Sequence, residues 1–94
     1  MISLPKALVL INTDPYSAKE VLQELKACEN VKECFMVNGA YDVVARVEGD
    51  TFDSLVDVIN RRIKRLFQVK ETLSMMIMDS EETAREQENG VIVV

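Results

Sequence analysis

The sequence predicts an α+β domain of ferredoxin-like βαββαβ order, in which a four-stranded antiparallel sheet carries two helices on one face. β-prone runs and amphipathic segments alternate in the order strand, helix, strand, strand, helix, strand. Each predicted helix is followed by a similar strand start, Val31-Lys32-Glu33-Cys34 and then Val69-Lys70-Glu71-Thr72. With 94 residues, 48% of them hydrophobic, the chain has room for one small domain. Right-handed crossovers then place both helices on the same face of the sheet.

The first strand is predicted over residues 6–12, directly after Pro5. Both of its alternating sets are apolar, so we expect this strand to be covered on both faces. The first helix is predicted to begin at Ser17, with Glu20 completing a capping box. Its apolar stripe runs out near Asn30, where we expect the helix to end.

A hairpin of two strands, residues 31–38 and 42–48, is predicted around a tight turn at Gly39-Ala40, where Gly39 permits a positive φ. The second helix opens with Asp50 or Thr51 as its cap, and its apolar stripe continues to Leu66.

The fourth strand, residues 69–78, holds three of the five methionines. Met75 and Met76 must point to opposite faces of the sheet, so an apolar side chain lies on the face that carries no helices. If Met75 and Ile77 pack under the helices, Met76 and Met78 line the opposite face; the reverse arrangement is equally open. An apolar second face is most simply a dimer interface.

The folded domain is predicted over residues 1–79, followed by an acidic extension over residues 80–94. The polar part of the extension predicts either a marginal helix or disorder. Its last four residues, 91–94, are β-prone, and we expect them to join an edge of this sheet or of a neighbouring one.

Composition disfavours several function classes. The net charge of −5 disfavours nucleic-acid and anionic-membrane binding, and the absence of histidine removes the commonest catalytic base and metal ligand. The basic run from Arg61 to Arg65 is typical of a helix end. Cys28 and Cys34 lack metal-site spacing and are expected to be buried hydrophobes. We therefore expect a non-enzymatic protein without metal or cofactor, and, since residues 1–6 are unlike a signal peptide, a cytoplasmic one.

The loop from Asn38 to Asp42 is the most informative polar segment. Turn chemistry alone accounts for its residues. Backbone amides beside the Asp42 carboxylate would also suit a zwitterion, with the carboxylate holding an ammonium group. Both interpretations remain open on these residues.

Residues 6–11, 37–44 and 69–74 resemble the effector-binding domain of the Lrp/AsnC regulators, also called the RAM domain. The Gly-x-Tyr-Asp turn leading into an apolar strand is the most specific part. The resemblance implies dimers that pair through their sheets, rings that are commonly octamers, and amino-acid ligands in clefts between dimers. The ligand-binding positions it implies here are Gly39, Ala40, Tyr41, Asp42, Thr72 and Ser74.

Full-length members of that family carry a helix-turn-helix, whereas the first strand here begins near residue 6, so we expect a stand-alone form. The leading hypothesis is an amino-acid-sensing module that co-assembles with full-length Lrp/AsnC regulators. Asp42 would meet the ammonium group, while loop amides and the hydroxyls of Thr72 and Ser74 would meet the carboxylate. The alternative is a structural subunit-mixing partner of a DNA-binding regulator, with no ligand of its own.

Overall fold

The computed structural model describes residues 4–78 and 91–93. The elements, in chain order, are β1 (Lys6–Thr13), α1 (Ala18–Lys26), β2 (Val31–Met36), β3 (Val43–Glu48), α2 (Phe52–Val58), a π-helical turn (Ile59–Ile63), β4 (Val69–Ile77) and β5 (Val91–Val93). The strands form one antiparallel sheet in the order β2-β3-β1-β4-β5. The ferredoxin-like α+β prediction is therefore confirmed, with β5 added at the β4 edge.

The fifth strand resolves one of the two alternatives left by the sequence. Val91 and Val93 pair with Ile77 and Met75, so this segment joins the edge of its own sheet. The intervening acidic segment and the domain boundary predicted at residues 79 and 80 lie outside the described residues.

The core lies between the helices and one face of the sheet. Alternate residues of β1 and β3 are fully buried, which is the period expected of a strand with one covered face. Both helical segments supply the opposing layer, as the right-handed crossovers predict. The buried cluster consists of Ala7, Val9, Ile11, Val21, Leu25, Val43, Ala45, Val47, Leu55, Ile59, Ile63 and Met76.

The second helix begins as predicted and ends differently. Of the two candidate caps, Thr51 is the one used: its Oγ1 accepts from the Ser54 amide and the Ser54 Oγ accepts from the Thr51 amide, both at 3.0 Å. The single helix predicted to reach Leu66 instead passes into the π-helical turn, where the Lys64 amide donates to the Ile59 carbonyl at 2.9 Å. Ile59 and Ile63 are both buried in this turn.

The capping box predicted at Ser17 is wrong. No cap hydrogen bond is made by its side chain, whose Oγ lies 3.5 Å from the Pro15 carbonyl, and Glu20 accepts from Gln68 Nε2 at 3.1 Å. Glu20 therefore bonds to a residue 48 positions away in the sequence and not to the backbone of Ser17. The helix also ends at Lys26, earlier than predicted, because the chain turns through Cys28 into β2.

The face of the sheet opposite the helices, called here the outer face, is apolar at its centre. Leu10 on β1 pairs with Val44 on one side and Leu73 on the other, and Leu8 pairs with Met75. Since cross-strand partners share a face, these side chains form one patch. The half-exposed Phe35, which pairs with Val44, completes the patch. Its members are Leu8, Leu10, Phe35, Val44, Leu73, Met75 and Ile77.

Of the two arrangements left open by the sequence for the methionines of β4, the structure has the second, in which Met76 lies on the helix-covered face. Met76 is buried under the helices, at 9% exposure, and Met75 lies on the outer face. The expectation that β1 is covered on both faces is not met within the described part of the chain, because the helices cover only one of them.

A charged group marks one end of the outer face. Arg46 lies 3.3 Å from Glu33 and 2.8 Å from Glu48, measured from its Nε and Nη1 to their carboxylate oxygens. The hydrogen bond to Glu33 raises the pKa of the Arg46 guanidinium above its ordinary value. The apolar patch is therefore bordered by charges that already have partners.

Candidate ligand-binding site

The hairpin loop, residues 37–42, is wider than the two-residue turn predicted. Its ends are closed by the Val37 amide donating to the Asp42 carbonyl at 2.9 Å, and the Asp42 amide donates to the Ile11 carbonyl at 2.9 Å. Gly39 and Ala40 are exposed, and Gly39 does not take the left-handed φ that a tight hairpin turn would require. A longer loop closes the hairpin without that conformation.

The carboxylate of Asp42 ties this loop to the end of β1. Its Oδ2 accepts from the Thr13 amide at 2.8 Å and lies 3.4 Å from the Thr13 hydroxyl. Thr13 is only 8% exposed and follows the register shift of β1 against β4. Oδ1 accepts no hydrogen bond from another described residue, so one oxygen is structural and the other is available.

We expect Asp42→Ala to lower the free energy of unfolding by about 1–2 kcal/mol, because the buried Thr13 amide loses its acceptor. In a domain of this size that is a fall in Tm of roughly 5–15 °C. Asp42→Asn keeps a carbonyl oxygen at the same position and should lose less than half as much. Urea denaturation of the three proteins measures both effects. An alanine variant as stable as the unaltered chain would show that water satisfies the amide.

A groove of about 240 Å³ lies between the second helical segment and β4. It is lined by Phe52, Val56, Ile59, Asn60, Lys64, Thr72, Ser74 and Met76. Thr72 and Ser74 face this groove because they pair with Ile11 and Val9, whose side chains lie on the covered face of the sheet. Neither hydroxyl hydrogen-bonds to another described residue, although both side chains are half-buried.

The six predicted site residues do not meet within one chain. Thr72 and Ser74 line the groove, whereas Gly39, Ala40, Tyr41 and Asp42 are absent from its lining. The reason is topological: the loop follows β2 and leads into β3, and β1 lies between β3 and β4. The ligand-binding role of these residues stays a prediction.

Lys64 is a groove residue that the sequence did not single out, because the basic run that contains it is typical of a helix end. It shares the groove wall with Phe52, Val56 and Asn60, at a regular spacing of four residues. Its neighbour Arg61 pairs instead with Asp57 at 2.9 Å. The four-residue spacing is visible in the sequence. The π-helical turn, which keeps Asn60 and Lys64 on the groove wall after α2 has ended, is not.

The two cysteines are free. Cys28 is buried and Cys34 half-buried, with its Sγ 3.9 Å from the Leu22 carbonyl. Burial raises the pKa of the Cys34 thiol, although nearby Lys26 opposes the effect. Burial thus lowers the share of the nucleophilic thiolate at this cysteine.

Two further properties concern the described residues alone. They contain no cluster of three or more cysteine, aspartate or glutamate side chains arranged to hold a metal ion. In the same part of the chain, no helix combines the length and apolar character needed to cross a membrane.

Comparison with known proteins identifies the family. The family model described as the Lrp/AsnC ligand binding domain matches residues 6–86. No curated protein sequence matches significantly. Among solved structures, the crystal structure of FFRP-DM1 is 31% identical with a TM-score of 0.78, and the match covers 80% of this chain and 100% of that one. The hypothetical protein PHS023 from Pyrococcus horikoshii is 29% identical with a TM-score of 0.78, over 84% of this chain and 95% of that one.

A more distant match shows the same fold in a larger protein. The transcriptional regulator NMB0573 from Neisseria meningitidis, solved in complex with L-Met, is 13% identical with a TM-score of 0.72. The match covers 82% of this chain and 51% of that one. With the family model spanning most of the sequence, the chain belongs to the Lrp/AsnC ligand binding domain family, the regulatory RAM module of transcriptional regulators.

Proposed function

We propose that this chain is an amino-acid-sensing and oligomerisation module that acts in the cytoplasm, without catalysis, and co-assembles with full-length Lrp/AsnC regulators. The observation that carries the proposal is that the groups suited to a zwitterion are available but divided. The Thr72 and Ser74 hydroxyls lie in the groove, and the available Asp42 oxygen lies at the hairpin loop. A second chain supplying the missing half would complete the site.

The outer face supports self-association. A sheet with helices on one side leaves a contiguous apolar patch on the other, and monomers seldom leave such a patch in water. We infer a homodimer formed by two outer faces, and higher assembly into a ring of the octamer type. The grooves lie on the opposite, helix-covered face of the sheet and remain available for contacts between dimers.

Sensing then follows from linkage. A ligand bound between two dimers stabilises the assembly that contains its site, and assembly raises ligand affinity by the same factor. In this mechanism Asp42 holds the ammonium group, while the amides of Gly39, Ala40 and Tyr41 and the two groove hydroxyls hold the carboxylate. The L-Met complex of NMB0573 supports an amino-acid ligand in a protein of this fold.

One observation favours the alternative, a subunit-mixing partner with no ligand of its own. Asp42 already has a structural partner in Thr13, so an aspartate at this position does not require a ligand. Such a protein would still use the outer face to associate with a DNA-binding relative.

The experiment is thermal unfolding of the chain against each of the twenty amino acids, with light scattering to follow mass. At a ligand concentration of about 100 Kd, binding adds roughly 2.7 kcal/mol to the free energy of unfolding, so one or two amino acids should raise Tm by roughly 10–20 °C. The same amino acids should increase the mean mass or narrow the mass distribution.

Ser74→Ala should weaken that response, and Ser17→Ala, which removes a hydroxyl outside the groove, should leave it intact. No response to any amino acid from a folded oligomer would overturn sensing. Mixed oligomers with a full-length regulator, seen by native mass spectrometry, would then support the alternative.

A further inference from the structure

The groove between the second helical segment and β4 changes character along its length. Phe52 and Met76 lie at one end, next to the start of β1. Phe52 begins α2 just after Gly49, whose amide donates to the Pro5 carbonyl, and Met76 pairs with Ala7. At the other end are Lys64 and Thr72, which also share a second depression beside β4. The groove therefore runs from an apolar end to a polar one.

The lining of the groove carries one sign of charge, whereas the second depression beside it also includes Lys70 and Glu71. Of the lining residues, Lys64 alone is charged, and no described residue forms an ion pair or hydrogen bond with its ammonium group. The Thr72 and Ser74 hydroxyls beside it can donate hydrogen bonds, and no carboxylate lines the groove. Three donors and a positive charge suit an anionic head group.

The apolar end suits a short hydrocarbon body. Phe52 is 57% exposed, so its ring is accessible to a ligand in the groove, and Val56 lies one turn further along the same wall. The volume of about 240 Å³ is below the roughly 300–1,000 Å³ of sites for drug-sized ligands. It fits a molecule with only a few carbon atoms beyond its head group.

We propose that this groove binds a small monocarboxylate with an apolar body, that Lys64 is the charge partner of the carboxylate, and that the groove makes no contact requiring an α-ammonium group. The proposal rests on the proposed function, because it names the ligand class: amino acids with apolar side chains, together with their 2-oxo and deaminated analogues. Any demand for the ammonium group comes from Asp42 at the hairpin loop.

The test uses the full chain and three ligands of one shape: leucine, isocaproate, which lacks the amino group, and isocaproamide, which also lacks the charge. Binding is measured by titration calorimetry and by chemical-shift changes at Thr72 and Ser74. Isocaproate should bind within about tenfold of leucine. Isocaproamide should bind at least tenfold more weakly than isocaproate, because a hydrogen bond to a charged group contributes about 1.5–3 kcal/mol.

Lys64→Gln should weaken isocaproate binding by about tenfold or more. Arg62→Gln is the matched control: it removes the same charge two residues away, within the π-helical turn that Lys64 caps, at a residue that does not line the groove. Both side chains are exposed, so both variants should fold as the unaltered chain does.

The outcomes separate the two proposals. If leucine binds and Lys64→Gln responds as Arg62→Gln does, the groove proposal is overturned and amino-acid sensing stands. If isocaproate binds through Lys64 while all amino acids are inactive, the groove proposal stands and amino-acid sensing fails. Isocaproamide binding as tightly as isocaproate would overturn the assignment of charge recognition to Lys64.

Discussion

Gly49→Ala should lower the Tm of this domain by roughly 10–20 °C. A Cβ at this position would lie 2.7 Å from the Leu55 amide nitrogen and 2.8 Å from its Cα. Both are backbone atoms of α2, so no side-chain rotation can relieve the contact. The Gly49 amide also donates to the Pro5 carbonyl at 3.1 Å, which holds this segment against the start of β1. Overpacking of this kind costs about 2–3 kcal/mol, and the quoted Tm change follows for a domain of this size.

Gly39→Ala is the matched control for that substitution. No heavy atom lies within 4 Å of the Cβ it would add, and the backbone there is not left-handed. The variant should therefore unfold at the same temperature as the unaltered chain or slightly higher, because alanine reduces the entropy of the unfolded state. Calorimetry of the two variants side by side makes the comparison. Equal Tm values would mean that α2 can move away from Gly49 at little cost.

The fold was predictable because its signals are local and periodic. The strands, helices and hairpin all follow from alternation and from apolar stripes that any isolated segment displays. The cap at Thr51 is also local, since its partner Ser54 is three residues away. Element order and chain length then leave few topologies, and the crossover rule places the helices on one face.

The features that the sequence analysis missed depend on contacts between distant parts of the chain. Glu20 accepts a hydrogen bond from Gln68 and does not complete the predicted capping box. The face of the sheet on which Met76 lies depends on the register of β4 against β1. The π-helical turn has no signature in the apolar spacing, because Ile59 and Ile63 would also share one face of an ordinary α-helix. None of these has a signature within a short window of sequence.

The candidate site was predictable only in part, because some of its features are local in sequence and others depend on distant contacts. Thr72 and Ser74 could be assigned to one face by alternation alone, but the groove needed Lys64, whose position depends on the π-helical turn. Asp42 could be identified as the polar residue of the hairpin, whereas its bond to Thr13 spans 29 residues. A site divided between elements and between chains is the part of such a protein that sequence patterns describe least well.

Leu10→Asp should dissociate the proposed sheet-face dimer. Leu10 lies at the centre of the outer-face patch, between Val44 and Leu73. In a dimer formed by two outer faces, the aspartate would be enclosed by apolar side chains from both chains, and an unpaired buried carboxylate costs several kcal/mol. By size-exclusion chromatography with light scattering, the mass should fall at least by half at micromolar concentration. Gln23→Asp adds the same charge on the exposed surface of α1 and should leave the mass unchanged.

Because Leu10 is half-buried within a single chain, its substitution also tests the fold, and a second variant separates the two effects. Phe35→Asp changes a residue that pairs with Val44 on the same face and is 54% exposed, so the monomer should tolerate it. Both variants should retain the far-ultraviolet circular dichroism of the unaltered chain while losing mass. Two folded variants with undiminished mass would move the interface away from the outer face. The apolar patch would then need another partner, and the free surfaces of the groove and loop would have to form the first contact between chains.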